Sequence, residues 1–374
     1  MNKVNITYVF GSGRKEKIQK NNFKAKEFFY GYNHFLKTDH NLNIIEMEVE
    51  DPKVFGLKKI LRLLDKILRK LTNLPFFFTE ILSFKNFITL FKTDKLIVTN
   101  DRLALSLLPF LLVVKVIKNI EVYVIIMGLF SKKGGKYITN KLQKFFIKLL
   151  LRISKKICFL GSGEAALAND QYSYFSNRFY LLPFSIDTEY WNVNENEYSQ
   201  NKKILFIGND GNRDYEMFLK IVKSLPDFSF TCITNNINKQ DVPPNCELIS
   251  GSWNDSLLSD DQIKNYYRNS KLVIIPLKET FQPSGQSVSL QAMSMGVPVI
   301  ITKTKGFWDS DLFKHEKNIY FVLDHSIESW VKELKKIYDD DNLLEKISTE
   351  AKITVNSELN LDSFNYKIEK LLNI

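Results

Sequence analysis

Short apolar runs alternate with segments of helical periodicity along nearly the whole chain, and this alternation constrains the fold most. The first run, Asn5–Phe10, is strand-like, whereas Tyr137–Ile153 repeats apolar residues at helical spacing. Strands this short and this apolar are buried on both faces, as in parallel sheets covered by helices. The alternation stops at the polar stretch 183–199 and restarts at 204–207. The pattern predicts an α/β protein with two Rossmann-like, doubly wound parallel-sheet domains that face a cleft.

The length of the chain and its cysteines set further bounds. A chain of 374 residues exceeds one ordinary core and suits two domains. Cys158, Cys232 and Cys246 lie far apart, which indicates a reducing compartment, no disulfide framework and no metal site. The N-terminal residues lack a signal-peptide pattern, and the apolar run 103–114 is shorter than the ~20 residues of a transmembrane helix. We therefore expect a cytoplasmic protein, either soluble or peripheral on a membrane.

Residues 272–302, LVIIPLKETFQPSGQSVSLQAMSMGVPVIIT, follow the order strand, loop, helix, turn and strand. Ser284 is the predicted N-cap of the helix, and Gly285 allows the backbone to approach a ligand closely. The N–H groups of Gly285, Gln286 and Ser287 have no partner within the helix, so they form a potential phosphate site. A helix that begins between two strands occurs in every α/β protein, however, and the fold alone also explains it.

Four segments of the chain resemble glycosyltransferase family 4. QSVSLQAMSMGVPVIIT is similar to the family's donor-binding segment, which reads roughly E-G-F-G-x-x-x-x-E-A-M-A-x-G-x-P-V-I. YLLPFSIDTEYWN (180–192) resembles the interdomain segment, KILFIGNDGNRD (203–214) the first strand and loop of the donor domain, and YVFGSGR (8–14) the start of the acceptor domain. The resemblance implies a GT-B fold with an acceptor domain at 1–183, a donor domain at 184–357, and a C-terminal helix (358–374) that packs back on the first domain.

The resemblance also implies the residues of a donor site. The family places an Arg and a Lys on the diphosphate; Arg213 follows the first donor-domain strand, and Lys278 lies just beyond a later strand. The family's paired glutamates, eight residues apart, are replaced here by Pro283 and Gln291. Gln291 can still hydrogen-bond a ribose hydroxyl, although it lacks the charge that makes such bonds strong. Glu279 is expected to replace the missing carboxylate as a catalytic residue.

Three residues of the first half are candidates for a second part of the site. Gly11 and Gly13 follow the first strand without the spacing of a dinucleotide fingerprint, so they predict either an anion site or a tight turn. Asp101 follows the strand at 96–99, where a carboxylate could act as the general base; the alternative is an N-cap for the next helix. The family's histidine is absent, because its position falls near Met127-Gly128.

The net charge is +10, and its distribution is uneven. Between residues 122 and 163 the chain has no acidic residue, and Lys141, Lys144 and Lys148 lie on one face of a helical segment with an apolar opposite face. Segment 57–71 repeats this pattern. Basic amphipathic helices bind anionic membranes, although ordinary helices with solvated lysines look the same. No nucleic-acid recognition motif accompanies the charge, so the expected partner is an anionic membrane surface and not nucleic acid.

These features predict a glycosyltransferase that moves a sugar from a nucleotide diphosphate sugar to a glycan or lipid-linked acceptor in cell-surface polysaccharide biosynthesis. The resemblance implies retention at the anomeric carbon. The helix N-terminus, Arg213 and Lys278 would stabilise the leaving diphosphate without a metal ion, and no cofactor is expected. Two alternatives remain open. One is an epimerase-type GT-B enzyme acting on nucleotide sugars, and the other is a catalytically silent, membrane-associated binding subunit.

Overall fold

The computed structural model describes residues 3–20, 24–53, 55–132, 135, 137–193, 203–251 and 258–374, and the chain forms two compact units. The first unit comprises Met1–Phe23, Phe29–Leu182 and Asn365–Ile374, and the second comprises Lys24–Phe28 and Pro183–Phe364. Each unit contains a six-stranded, wholly parallel sheet with helices, which confirms the predicted pair of doubly wound α/β domains. Residues 24–28, which the sequence pattern assigns to the first domain, belong to the second unit.

The sheet of the first unit has the strand order β2-β1-β3-β4-β5-β6. Its strands are β1 (Asn5–Phe10), β2 (Asn41–Glu46), β3 (Lys95–Val98), β4 (Glu121–Ile126), β5 (Lys156–Phe159) and β6 (Phe179–Leu181). Its helices are α1 (Arg14–Lys20), α2 (Tyr32–Phe35), α3 (Leu57–Thr72), α4 (Phe84–Lys92), α5 (Asp101–Ile117), α6 (Tyr137–Ile153) and α7 (Ser162–Gln171). The chain changes direction across the sheet between β1 and β3, so the loops after these two strands border a crevice.

The sheet of the second unit has the strand order β12-β11-β10-β7-β8-β9. Its strands are β7 (Lys203–Ile207), β8 (Phe230–Ile233), β9 (Cys246–Ile249), β10 (Ser270–Ile275), β11 (Val299–Thr302) and β12 (Tyr320–Val322). Its helices are α8 (Tyr215–Ser224), α9 (Asp260–Arg268), α10 (Gln286–Ser294), α11 (Ile327–Tyr338) and α12 (Asp341–Glu358). The last helix, α13 (Leu361–Leu372), begins in this unit, and its residues from Asn365 onwards belong to the first unit. The change of direction lies between β7 and β10.

The central strands are apolar on both faces because helices cover both sides of each sheet. In β10 the adjacent residues Val273 and Ile274 point to opposite faces, and both are fully buried. The same holds for Ile204 and Leu205 in β7. This two-sided burial explains the continuous apolar runs from which the sequence pattern predicts parallel strands.

Residues 24–36, between β1 and β2, do not form one continuous helix. A 3₁₀ turn at Glu27–Phe29 is followed by the short α2, and Tyr30 (φ 50°) and Gly31 (φ 83°) adopt left-handed backbone conformations between them. Two successive left-handed residues end a right-handed helix. The C-terminal helix α13, in contrast, forms within the predicted segment 358–374. Among the residues that the structure describes, no helix is long and apolar enough to cross a membrane.

Candidate functional site

The loops that follow β7 and β10 meet where the second sheet changes direction. Arg213 and Leu277 form an antiparallel bridge, and the N–H of Lys278 donates to the carbonyl of Asn212 at 2.9 Å. The N–H of Asp214 donates to the carbonyl of Pro276 at 3.0 Å. Ligands of doubly wound proteins bind at this crevice, beyond the carboxyl ends of the strands. The bridge brings together the two loops that carry the predicted donor residues.

Helix α10 begins at this crevice without a side-chain cap. Its N-cap is Gly285, in a left-handed conformation (φ 81°), and not Ser284 as predicted. The Ser284 hydroxyl instead accepts a hydrogen bond from Asn212 Nδ2 at 2.8 Å, because the β7 loop lies against it. Gln286 is buried and Ser287 half-buried in the first turn. An uncapped helix start presents backbone N–H groups and the positive end of the helix dipole.

Arg213 lies directly beside the start of α10. A Cβ atom added to Gly285 would be 3.6 Å from Arg213 Nη1. The Arg213 side chain is 3% exposed, and its Nε donates to the carbonyl of Ile207 at 3.3 Å. Nη1 is 2.9 Å from Asp210 Oδ2, but not in hydrogen-bond geometry, so among the described residues it is buried without a hydrogen-bond partner. A guanidinium beside a helix N-terminus has the positive charge and the N–H donors that bind anions.

Gly208 makes the path of the arginine possible. A Cβ atom at this position would overlap Arg213 Nε and lie 2.8 Å from its Cγ. The side chain thus crosses directly over the backbone at the end of β7. Only glycine permits this close approach, because any larger residue would displace the guanidinium.

Lys278 and Glu279 follow β10 and are both exposed. The Glu279 carboxylate accepts a hydrogen bond from the Lys305 N–H at 2.9 Å through Oε1, and its Oε2 is 3.8 Å from His325 Nε2. Glu279 therefore holds the loop that follows β11. The N–H of Gly306 in that loop donates to the Thr280 carbonyl at 2.8 Å. The structure joins Lys278 to the Arg213 loop through its backbone, whereas the Glu279 side chain contacts the loop after β11 and His325 after β12.

Gln291 has two hydrogen bonds inside the second unit. Its Nε2 donates to Glu27 Oε1 at 2.8 Å, and its Oε1 accepts from the Tyr267 hydroxyl at 3.0 Å. Trp191 Nε1 donates to the same Glu27 oxygen at 2.8 Å. Glu27 Oε2 is buried without a hydrogen-bond partner among the described residues. The residue predicted to bind ribose is thus part of a buried polar network.

Burial raises the pKa of Glu27 to about 7, and the nearby Asp187 carboxylate adds to this. The hydrogen bonds from Gln291 and Trp191 act in the opposite direction, because they stabilise the ionised form. An amide at position 291 can donate to Glu27, whereas a glutamate there would place two carboxylates within hydrogen-bond distance. Glutamine at position 291 therefore suits the contact with Glu27.

Sequence analysis did not identify Glu27, Trp191 or Tyr267. Glu27 and Gln291 are 264 residues apart, and nothing in the sequence around Glu27 distinguishes it from a surface glutamate. Trp191 does lie within the segment at 180–192 that resembles the family. Its position there was the one available signal.

Gly11 and Gly13 lie at the crevice of the first unit, after β1. Gly13 has φ 85°, as in a tight turn, and a Cβ atom added to either glycine would meet no atom within 4 Å. The N–H of Lys15 donates to Glu46 Oε1 at 2.7 Å, which fixes the turn to the end of β2. The glycines thus border open space, and the turn requires a glycine only at position 13.

Asp101 is buried at the start of α5. The N-cap is its neighbour Asn100, whose Oδ1 accepts from the Leu103 N–H at 2.9 Å, so the N-cap alternative for Asp101 is wrong. Asp101 Oδ1 accepts from the Met127 N–H at 3.3 Å, and Oδ2 is 3.1 Å from Lys132 Nζ. These contacts attach Asp101 to the loop after β4.

Glu164 holds the same loop from the other side. Its two carboxylate oxygens accept from the N–H groups of Gly128 at 2.9 Å and Phe130 at 3.1 Å. Burial raises the pKa of Glu164 to about 8, and these two hydrogen bonds oppose the shift. The loop where the family's histidine would fall is therefore fixed by two buried carboxylates.

No group of three or more His, Cys, Asp or Glu side chains in the described part of the chain could hold a metal ion. The three cysteines are free and buried.

Residues 256–354 match the family model described as glycosyl transferases group 1. No curated protein matches the chain.

Three solved structures are similar over nearly the whole chain. A glycosyltransferase from Rickettsia africae has a TM-score of 0.66 at 13% identity, covering 99% of this chain and 98% of that one. Sucrose-phosphate synthase from Thermosynechococcus elongatus has a TM-score of 0.71 at 11% identity, with coverages of 99% and 98%. Anabaena HepE in complex with UDP and glucose has a TM-score of 0.67 at 10% identity, with 99% of both chains covered. At such low identities the similarity shows the fold, which is GT-B.

Proposed function

We propose that this chain, which carries a glycosyltransferase group 1 domain on a GT-B fold, transfers a sugar from a nucleoside diphosphate sugar to a glycan or lipid-linked acceptor. One observation carries the proposal: the buried guanidinium of Arg213 beside the uncapped start of α10. The site lies where the second sheet changes direction, and it offers charge and backbone donors for a diphosphate.

The proposed reaction needs stabilisation of the leaving group. When the bond between the anomeric carbon and the diphosphate oxygen breaks, its electron pair goes to that oxygen, and the negative charge of the diphosphate increases. Arg213 Nη1 and the N–H groups at 285–287 would bind this charge, with Lys278 at the exposed edge of the crevice. Because these groups supply positive charge themselves, we propose transfer without a metal ion. Retention at the anomeric carbon is proposed from the resemblance to glycosyltransferase family 4 alone.

A uridine diphosphate sugar is the first donor to test. The Anabaena HepE structures contain UDP, UDP and glucose, or UDP-glucose. Calorimetric titration of the protein with UDP, followed by a panel of nucleotide sugars, measures donor binding. Failure of every nucleotide and nucleotide sugar to bind would overturn the proposal.

Turnover assays then separate transfer from the alternatives. Release of UDP that depends on an acceptor supports a transferase. Interconversion of nucleotide sugars without an acceptor would instead indicate the epimerase-type activity.

The catalytically silent alternative is favoured by the contacts of the three acid and amide candidates. Glu279 holds the loop after β11, Gln291 is bonded to Glu27 and Tyr267, and Asp101 is paired with Lys132. A protein that binds donor tightly but shows neither hydrolysis nor transfer with lipid-linked and glycan acceptors would support this alternative. Arg213 would then serve binding alone.

We also propose that the protein works at the inner face of the cell membrane, in the biosynthesis of a cell-surface polysaccharide. Support comes from α6, on which Lys141, Lys144 and Lys148 are all exposed. The surrounding stretch 122–163 has no acidic residue to neutralise them. A lipid-linked acceptor would be reached from such a surface.

A further inference from the structure

Helix α3 has one face packed on the first unit and one face without a partner among the described residues. On the packed face, Leu61 and Leu68 contact the apolar core, and Asp65 and Thr72 are buried. The Asp65 carboxylate accepts from the N–H groups of residues 78 and 79 at 2.6 and 3.1 Å, and from the Thr79 hydroxyl at 2.7 Å. The helix is thus firmly attached, and its orientation is fixed.

The other face carries large apolar side chains at helical spacing. We call this set the apolar stripe; its side chains range from 42% to 82% exposed, and it consists of Phe55, Leu57, Ile60, Leu63, Leu64, Ile67 and Leu71. The stripe runs the length of α3, which at 16 residues is about 24 Å long. An exposed apolar surface of this extent marks an interaction site.

Exposed lysines of α3 lie along one side of the stripe, opposite the side that packs on the core. Lys59, Lys66 and Lys70 of α3 are exposed, and Asp65, the helix's one acidic residue, is buried. The acidic Glu48 before the helix is paired with Lys58 at 2.8 Å. Glu50 and Asp51, which also precede the helix, are exposed and acidic, but the exposed charged residues of α3 itself are all basic.

Helix α6 packs beside α3 and extends the same chemistry. It exposes Ile138 and Phe145 together with Lys141, Lys144 and Lys148. A groove of about 730 Å³ opens along the first turns of α3, lined by apolar residues of the stripe and by Lys53, Lys59 and Lys66 among others.

We infer that the apolar stripe inserts into the interfacial region of an anionic bilayer, with α3 parallel to the membrane plane and the lysines of α3 and α6 at the lipid headgroups. This inference specifies how the membrane association in the proposed function would occur. It rests on the proposed function only in assuming that a lipid-linked acceptor is reached at that membrane. Alternating apolar and cationic side chains match a surface that is apolar inside and anionic outside. A second copy of the chain fits less well, because the paired surfaces would bring like charges together.

The test is flotation with vesicles of phosphatidylglycerol and phosphatidylcholine, compared with phosphatidylcholine alone. The triple variant Ile60→Ser, Leu63→Ser, Ile67→Ser should bind the anionic vesicles roughly tenfold more weakly or worse, because it removes apolar area from the inserted face. The matched control is Val116→Ser with Ile117→Ser, which removes exposed apolar residues from α5 of the same unit and should bind as the wild type does. Equal binding of the triple variant and the wild type would overturn the inference.

A charge variant separates insertion from simple attraction. Lys141→Glu, Lys144→Glu and Lys148→Glu together should release the protein from anionic vesicles, and the wild type should bind less as salt rises. The control is Lys223→Glu, Lys239→Glu and Lys335→Glu, which makes the same charge change at exposed positions of the second unit. Wild-type protein that fails to float with anionic vesicles at low salt would contradict the inference.

Insertion has its own signature. Leu63→Trp should show a blue-shifted emission with anionic vesicles and quenching by lipids brominated in the acyl chain.

A concentration-dependent dimer that the Ser triple variant abolishes, without vesicle binding, would assign the stripe to a second copy and overturn the inference. Calorimetry of donor binding on the same proteins separates the membrane inference from the transferase proposal. A wild-type protein that binds no donor but binds anionic vesicles would overturn the transferase proposal and leave the membrane inference standing.

Discussion

Burial of Arg213 strengthens the interaction that its charge can make with an anion. Its guanidinium is almost fully enclosed. Nη1 lies 2.9 Å from Asp210 Oδ2 and close to Gly285, and it has no partner in hydrogen-bond geometry among the described residues. An arginine cannot lose its proton in a protein, so the charge is permanent. Enclosure reduces the screening by water, and an anion at this position would interact strongly with it.

We expect Arg213→Ala to weaken donor binding by about 1.5–3 kcal/mol, the usual value of a hydrogen bond to a charged group. Calorimetry with the donor identified in the nucleotide screen measures the effect. Lys220→Ala, which breaks an exposed pair with Glu216 on α8, is the control and should bind donor as the wild type does. An unchanged donor affinity in Arg213→Ala would remove this residue from the site.

Gln291 and Glu27 show that one substitution depends on another residue far away in the chain. Gln291→Glu would place a carboxylate in hydrogen-bond distance of Glu27, in a site that excludes water. We expect a loss of stability of about 2–4 kcal/mol at pH 8, and a smaller loss at pH 5, where one of the carboxyls is protonated. Chemical denaturation at the two pH values measures it.

The double variant Glu27→Gln, Gln291→Glu provides the control for this prediction. It restores one amide and one carboxylate to the pair, so much of the lost stability should return. If the double variant is as unstable as the sum of both single variants, the two side chains do not interact as described.

At the scale of the element, the start of α10 depends on Gly285. The residue has φ 81°, and a Cβ atom would lie 3.0 Å from Ile275 Cγ2 and 3.2 Å from Ile301 Cδ1. Both neighbours belong to buried strands, so neither can move easily. The strands under the helix thus dictate where its first N–H groups point.

We expect Gly285→Ala to cost about 1–3 kcal/mol of stability, from the left-handed backbone and the close contacts together. Donor affinity should fall as well, because the helix start would shift relative to Arg213. Gly211→Ala tests the same substitution in the neighbouring loop, where a Cβ atom meets nothing within 4 Å, and it should leave both quantities nearly unchanged. Wild-type stability and donor affinity in Gly285→Ala would show that the helix start tolerates a side chain.

For the molecule as a whole, a buried glutamate with a strongly raised pKa lies in each of the two units. The pKa of Glu27 in the second unit is about 7, and that of Glu164 in the first unit is about 8. An unfolded chain returns both groups to an ordinary value near 4.5. The folded protein therefore holds these two protons more tightly than the unfolded chain does.

The sign of the pH dependence follows. The contribution of both groups to stability is complete below pH ~4.5 and is lost as the pH rises through 7 and 8. For Glu27 the shift corresponds to about 3 kcal/mol. We expect the melting temperature to fall between pH 5 and pH 8.5, and Glu27→Gln to reduce that fall. A melting temperature that rises over this range, or a pH dependence unchanged in Glu27→Gln, would contradict the assignment.

The two parallel sheets could be predicted from the sequence, because burial of a strand on both faces requires a continuous apolar run, and such runs are visible in short segments of sequence. The sequence also predicted that Arg213 lies near the start of α10, since the loops after adjacent parallel strands meet at one edge of a sheet. Helix α13 also forms within the segment 358–374 in which the sequence predicted a helix.

The hydrogen-bond partner of Gln291 and the environment of α3 could not be predicted from the sequence, because both depend on the tertiary structure. Hydrogen bonds between residues 264 positions apart leave no periodic trace in the sequence, so neither Glu27 nor its place in the second unit could be read there. The sequence likewise shows leucines at helical spacing along segment 57–71 (Leu57, Leu61, Leu64, Leu68 and Leu71), but not which of them face the core. The structure buries Asp65 instead and leaves Leu57, Leu64 and Leu71 exposed, because the backbone N–H groups of residues 78 and 79 bind that carboxylate and fix the rotation of the helix.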